Sequence, residues 1–161
     1  MVSKEDLKKI VMLSYLSDDS LEKLVPMTDS LRFDQGETIF RQGDVTDRLY
    51  MLERGKVLLE QRISDKVTAS LGAIKPGYSF GWSAMLDEGD TYTSDAVCAE
   101  KCEVFSIRRE KMINLFNEDH TIGYILSQRL LRVIKKRLDH RTEQFLRAIK
   151  NQPDIQALLD S

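Results

Sequence analysis

The sequence predicts a mainly β protein with flanking helices: an antiparallel sandwich or barrel, led in by short helices and followed by one long helix. Three observations predict it. Between residues 30 and 108, short runs of alternating apolar and polar residues are closed by turns, most of them carrying glycine, the pattern of an all-β sandwich or barrel. On either side of that region the apolar spacing changes to that of helices. Residues 120–150 hold no proline and one glycine, Gly123.

Taken in order, Ser3 with Asp6 three positions later marks a helix start, the acid sitting in the first turn. Leu7, Ile10 and Val11 make its apolar face. Ser17 opens a second short helix with Leu21, Leu24 and Val25 inward and Pro26 near its end. Strands are expected near 30–34, 38–41, 48–53, 56–63, 67–74, 93–99 and 103–108. They are separated by Asp34-Gln35-Gly36, Gln42-Gly43-Asp44, Glu53-Arg54-Gly55, Ser64-Asp65 and Lys75-Pro76-Gly77. The runs 56–63 and 67–74 read as a hairpin. Val67, Ala69, Leu71 and Ala73 fall on one face of it, either as a pocket wall or as core. Cys98 and Cys102 flank a turn at Glu100-Lys101, either as plain buried thiols or as neighbours across a hairpin. Met112, Ile113, Leu115 and Phe116 fit a short helix. Beyond it Leu131, Leu138 and Phe145 recur every seven residues, with Ile134, Arg141 and Ala148 in the intervening slots. That is a coiled-coil seam with one charged break, or a face packed on the chain's own barrel. Pro153 stops the helix, and Ile155, Leu158 and Leu159 suggest a last amphipathic turn. The divisions expected are 1–118 for lead-in and barrel, 119–151 for the long helix, and 152–161 for the tail.

Composition bounds the class. At 161 residues with 42% hydrophobic and 31% charged side chains, the chain can bury about two-thirds of its unfolded surface without staples. Mean hydropathy is −0.34, and no apolar run reaches the ~20 residues of a membrane span. The opening residues lack the order of a secretion signal, and two cysteines make no disulfide framework. A cytoplasmic location and no membrane partner are expected. The net charge of −2 is uneven: eight Lys/Arg against Asp139 and Glu143 between 125 and 150 give +6, leaving −8 elsewhere. Such a helix is either a solvated face or an attractor for nucleic acid or a partner.

The stretch from Gly77 to Ala99 carries the most chemistry. It reads as an extended approach, a glycine corner at Gly81, one helical turn over 82–86, a polar loop, then a strand. A turn opening after glycine leaves backbone N–H groups available, and the hydroxyls of Ser83, Thr93 and Ser94 add donors. Together they suit one phosphate or carboxylate. Phe80-Gly81 with the small helix, Asp87-Glu88-Gly89 and Thr93 resemble the phosphate-binding cassette of the cyclic-nucleotide-binding domain of the catabolite-activator and fumarate-nitrate-regulator family. Gly36-Glu37-Thr38-Ile39-Phe40, Gly43-Asp44, Leu49-Tyr50-Met51-Leu52, Gly55 and Cys102-Glu103-Val104 extend the likeness over about residues 5 to 149.

The resemblance implies an antiparallel β jelly roll, the double-stranded β-helix of cyclic-nucleotide-binding domains, with a helical N-terminus and the long C-terminal helix as dimer axis. It implies a ligand, cAMP, cGMP or another small anion, against Leu71, Phe80, Gly81, Trp82, Ser83, Ala84, Tyr92, Thr93 and Ser94. Arg137 takes the helix position that faces the base. Where the family has an acid for the ribose, this chain has Trp82, and the family's phosphate arginine falls on Tyr92. The ligand is therefore not necessarily cAMP. Trp82 is either a plug or a stacking platform, and Tyr92 either a filler or a hydroxyl donor.

Catalysis is not expected. The two histidines, His120 and His140, both fall on the helical segment and assemble no triad or metal centre. One axial ligand is all a haem would need, and His140 or a cysteine supplies that at most. The residues after the long helix are too few for a helix-turn-helix, so no DNA-binding domain is expected here, and a truncated regulator would read the same. The expected function is ligand sensing, signalled through a homodimer of the 120–150 helix. The alternative is an interaction module with a collapsed pocket.

Overall fold

The computed structural model describes residues 1–86 and 90–161; the Asp87-Glu88-Gly89 part of the cassette reading lies outside the described residues. The chain divides into two bodies, Met1–Leu126 and Ser127–Ser161.

The first body starts with α1 (Lys4–Lys8), where Ser3 Oγ accepts from the Asp6 amide at 3.2 Å and Asp6 Oδ2 accepts from the Ser3 amide at 3.1 Å. This reciprocal cap satisfies two amides that the helix itself leaves open. Ser17 Oγ caps α2 (Asp18–Leu24) by accepting from the Ser20 amide at 3.2 Å. A single 3-10 turn over Val25–Met27, with Pro26 inside it, then delivers the chain to the barrel.

Among the described residues, eight strands form two four-stranded sheets. One has the order β1 (Thr28–Phe33), β8 (Cys102–Arg108), β3 (Arg48–Arg54), β6 (Ser79–Phe80). The other has β2 (Thr38–Phe40), β7 (Asp95–Cys98), β4 (Val57–Ser64), β5 (Val67–Ile74). Every pairing is antiparallel. The architecture is the jelly roll the sequence implied.

The central strand β3 shows how this follows from sequence. Leu49 and Met51 face the lead-in helices, joining Leu7, Leu13, Leu21, Leu24, Phe105 and Ile107. Tyr50 and Leu52 face the other sheet, with Phe40, Val57, Leu59, Phe80, Tyr92, Ala96 and Val104. With both faces covered, the strand needs an unbroken apolar run in place of an alternating one. On β4 only one face is covered, so Val57 and Leu59 are buried while Leu58 between them and Glu60 after them are not.

Two local expectations change. The chain crosses between sheets after β7, so Cys98 and Cys102 lie on strands of opposite sheets and not across a hairpin. Both thiols are free and buried. Burial, and then the neighbouring Cys102 thiol, push Cys98 up to about 12, which keeps it protonated and unreactive at neutral pH. On β5 the pairing skips Leu71, which bulges opposite Leu59 and Glu60. The bulge resets the alternation. Leu71 is half-buried against the inner cluster and Ile74 is buried, whereas Val67 and Ala73 are exposed.

After β8, α3 (Arg109–Glu118) buries Met112 and Leu115, and the first turns of α4 (His120–Lys150) add Ile122 and Leu126 to the same core. The second body holds the rest of α4 and α5 (Pro153–Leu159). Among the described residues no helix is long and apolar enough to cross a membrane.

Candidate ligand-binding site

The site is built where β6 ends. Gly81 takes φ +73°, ψ +34° and turns the chain into a 3-10 turn over Trp82–Met85. That left-handed conformation is one a glycine adopts without a steric penalty. The space is also closed: a methyl group on Gly81 would meet Tyr50 Cδ2 at 3.0 Å, the Arg48 carbonyl oxygen at 3.2 Å and Tyr92 Cε1 at 3.3 Å. The turn spends two of its own amides internally, Ala84 donating to the Gly81 carbonyl at 3.2 Å and Leu86 to that of Ser83 at 3.1 Å. It packs against β3 on one side and α3 on the other.

Trp82 is turned away from the barrel interior. Its indole packs against the helical layer, and Nε1 donates to Ser79 Oγ at 3.1 Å, whose own hydroxyl reaches Met12 Sδ at 3.5 Å. The side chain therefore neither plugs the interior nor offers it a stacking face. Tyr92 does enter the interior. Its ring stacks on Phe40 with centroids 3.9 Å apart and planes at 14°. Tyr50 lies 5.6 Å from Phe40 and 5.4 Å from Phe80, so four rings line this end of the barrel.

The Tyr92 hydroxyl is tied to the start of β3. It donates to the Arg48 carbonyl at 2.8 Å, with Asp47 Oδ1 at 3.2 Å, and accepts from the amides of Arg48 and Asp47 at 3.1 and 3.3 Å. Burial raises this phenol above its ordinary range, so it stays a neutral donor throughout the physiological range. Tyr92, on which the resemblance lays the family's phosphate arginine, is thus a group that braces the loop before β3. Arg48, whose backbone holds that hydroxyl, turns its guanidinium to Asp29 Oδ2 and Ser106 Oγ, both at 2.8 Å. Tyr92→Phe removes the partner of two backbone amides while keeping the ring stack. It is expected to cost about 1–3 kcal/mol, read as a melting temperature lower by about 2–4 °C for each kcal/mol. An unchanged melting temperature would show the hydroxyl to be idle.

The other expected residues are placed as follows. Phe80 is 1% exposed and Ala84 1% exposed, both structural neighbours of the corner. Ser83 is half-buried and Thr93 exposed. Ser94 is buried, in step with Ala96 and Cys98 on β7, and its hydroxyl makes no hydrogen bond among the described residues. No wholly enclosed side-chain nitrogen or oxygen lacks a partner among those residues, so the Ser94 oxygen is one that a small molecule can touch. Arg137 belongs to the second body, on α4. Sequence reasoning missed Phe40, Tyr50 and Asp47 as the surroundings of Tyr92. Gly43-Asp44 and Asp47 before the Leu49–Leu52 run were the available signal: the Gly43 amide donates to the Tyr92 carbonyl at 2.9 Å and the Tyr92 amide to that of Asp44 at 2.9 Å. Among the described residues no group of three His, Cys, Asp or Glu is placed to hold a metal ion.

Residues 30–119, more than half of the chain, match the family described as cyclic nucleotide-binding domain. A cyclic AMP receptor protein of Thermus thermophilus is 33% identical over 102 residues, covering 61% of this chain and 47% of that protein. The catabolite activator protein of Thermus thermophilus superposes with a TM-score of 0.70 at 25% identity, covering 83% of this chain and 61% of that one. A cyclic nucleotide-binding domain from Methylobacillus flagellatus shares the fold, with a TM-score of 0.77 at 19% identity over 89% of this chain and 80% of that one. The chain spans about half the length of the curated bacterial relatives it matches.

Proposed function

The chain belongs to the cyclic nucleotide-binding domain family, and on that footing we propose that it senses a small ligand and signals through its long helix as a homodimer in the cytoplasm, without catalysing a reaction. The ligand is nucleotide-like or a small anion, held by the Gly81–Ala84 turn, Leu71, Thr93 and Ser94. The observation that carries this reading is the Ser94 hydroxyl, 7% exposed as a residue and without a protein partner among the described residues. A hydroxyl that a small molecule can touch and that no protein group uses is available to donate to, or accept from, a ligand.

Dimerisation is supported by the second body. Leu131, Leu138 and Phe145 are 57%, 62% and 65% exposed, and Ile134 is 42% exposed. These are the seam positions, and a row of apolar side chains on one helix face asks for a partner. Ligand and helix then form a two-state device, in which the ligand binds one arrangement more tightly than the other.

Titration of cAMP and cGMP, following Trp82 emission and thermal denaturation, tests the sensor. Trp82 is the sole tryptophan and sits on the turn itself. A ligand at about 100 times its Kd stabilises by about 2.7 kcal/mol, and both readouts are expected to move. Tyr92→Arg, which restores a charge-assisted partner for phosphate, is expected to tighten cAMP by about 10-fold, or about 1.4 kcal/mol. The stack of Phe40 on Tyr92 favours a second reading, an interaction module whose interior is filled by its own rings. Silence of both readouts with each nucleotide, in wild type and in Tyr92→Arg, decides for that module.

A further inference from the structure

The apolar repeat of α4 carries one charged break, at Arg141. Counting from Leu131, Leu138 and Phe145 as one seam position, the second seam position holds Ile134, Arg141 and Ala148. Arg141 is exposed and makes no ion pair among the described residues. In a parallel, in-register pair, each seam residue meets its own copy, so two Arg141 guanidinia face each other across the axis. The flanking positions bring no relief. Those that border the seam between 130 and 149 are Leu130, Lys135, Arg137, Thr142, Gln144 and Ile149, without a single carboxylate. Of the two acids on this part of the helix, Asp139 is bound to Lys135 at 2.7 Å. Glu143 lies two positions past Arg141, on the far side of the helix from the seam. One turn before Arg141 stands Arg137, whose guanidinium is pushed down to about 10 by burial and then by the charge of Arg141.

Unpaired like charges inside an apolar seam destabilise it, and the remedies are a counter-ion or a different partner. The seam around the break is apolar and self-complementary, which favours a second copy of this chain over an acidic partner. Planar guanidinia converging on one point suit the oxygens of a multivalent oxyanion.

We propose that the dimer seam carries an anion seat, in which a phosphate-type oxyanion bridges Arg141 of the two copies with Arg137 one turn away. This rests on the α4 pairing proposed above. It makes dimer affinity responsive to such anions independently of the cassette.

Sedimentation equilibrium of the whole chain tests it, with inorganic pyrophosphate against sodium chloride of matched ionic strength. Wild type is expected to dimerise about 10-fold more tightly with pyrophosphate, equivalent to about 1.4 kcal/mol. Arg141→Leu is expected to dimerise more tightly than wild type without the anion and to ignore it. Arg141→Lys keeps the charge but not the fork, and retains a weaker response. A wild-type dimer that pyrophosphate leaves unchanged or loosens overturns the seat while sparing the pairing. A chain monomeric under every condition overturns seat and pairing together, and the seam then belongs to another protein. The cassette titrations read neither outcome, so ligand sensing stands or falls separately.

Discussion

Gly55→Ala is expected to lower the melting temperature by about 10 °C, the largest loss among methyl additions at the described glycines. Gly55 makes the turn between β3 and β4 with φ +95°. A side chain there carries the left-handed penalty of about 1–2 kcal/mol. The larger part is steric: the new methyl would sit 2.5 Å from the Lys101 carbonyl oxygen, 2.8 Å from Cys102 Sγ and 3.0 Å from Cys102 Cα. Two of those three are backbone atoms at the start of β8. That strand pairs with both β1 and β3, so it cannot withdraw without disturbing a sheet. Together the terms come to about 4 kcal/mol, at the upper end of single substitutions. Thermal denaturation followed by far-ultraviolet circular dichroism measures it. A drop of less than about 2 °C, roughly 1 kcal/mol or less, would mean the turn relaxes freely and the crossover after β7 is not under tight constraint.

On the proposed α4 pairing, Leu138→Lys is expected to weaken dimerisation by at least about 100-fold, equivalent to about 2.7 kcal/mol. Leu138 is 62% exposed, so the folded single chain loses little by the change, and its circular dichroism and melting at low concentration should match wild type. In the pair the substitution acts twice. It removes two apolar contacts from the seam and adds two ammonium groups one turn from Arg141, where positive charge is already in excess. Sedimentation equilibrium over a concentration series reads the shift. A variant that dimerises as wild type does would place the interface elsewhere and leave the exposed row of Leu131, Leu138 and Phe145 without a role in it.

The barrel was legible because its signals are local. Glycine at the corners, period-two alternation on β4 and the unbroken run on β3 each depend on residues that adjoin in sequence. The two short helices announced themselves through Ser3 and Ser17. The cassette was legible in outline for the same reason: Phe80-Gly81 can only be an approach and a corner. What its side chains do was not legible. Trp82 and Tyr92 are neighbours on paper of one expected pocket, yet the first packs against Met12 and the lead-in helices while the second stacks on Phe40 inside the barrel. Their fates depend on which side of β6 the turn leaves and on a loop more than forty residues upstream, and no periodicity encodes that.

The sequence by itself determined the strand and helix order, the left-handed corner at Gly81 and the seven-residue apolar repeat of α4, because each is written in the spacing of a few adjacent residues. Only the tertiary structure decided that Tyr92 would spend its hydroxyl on Asp47 and Arg48, that the bulge at Leu71 would split an apparently continuous β5 face, and that Cys98 and Cys102 would part into opposite sheets. Those outcomes are set by contacts between segments far apart in the chain. There, backbone donors seek partners and rings seek volume with whatever the fold brings near.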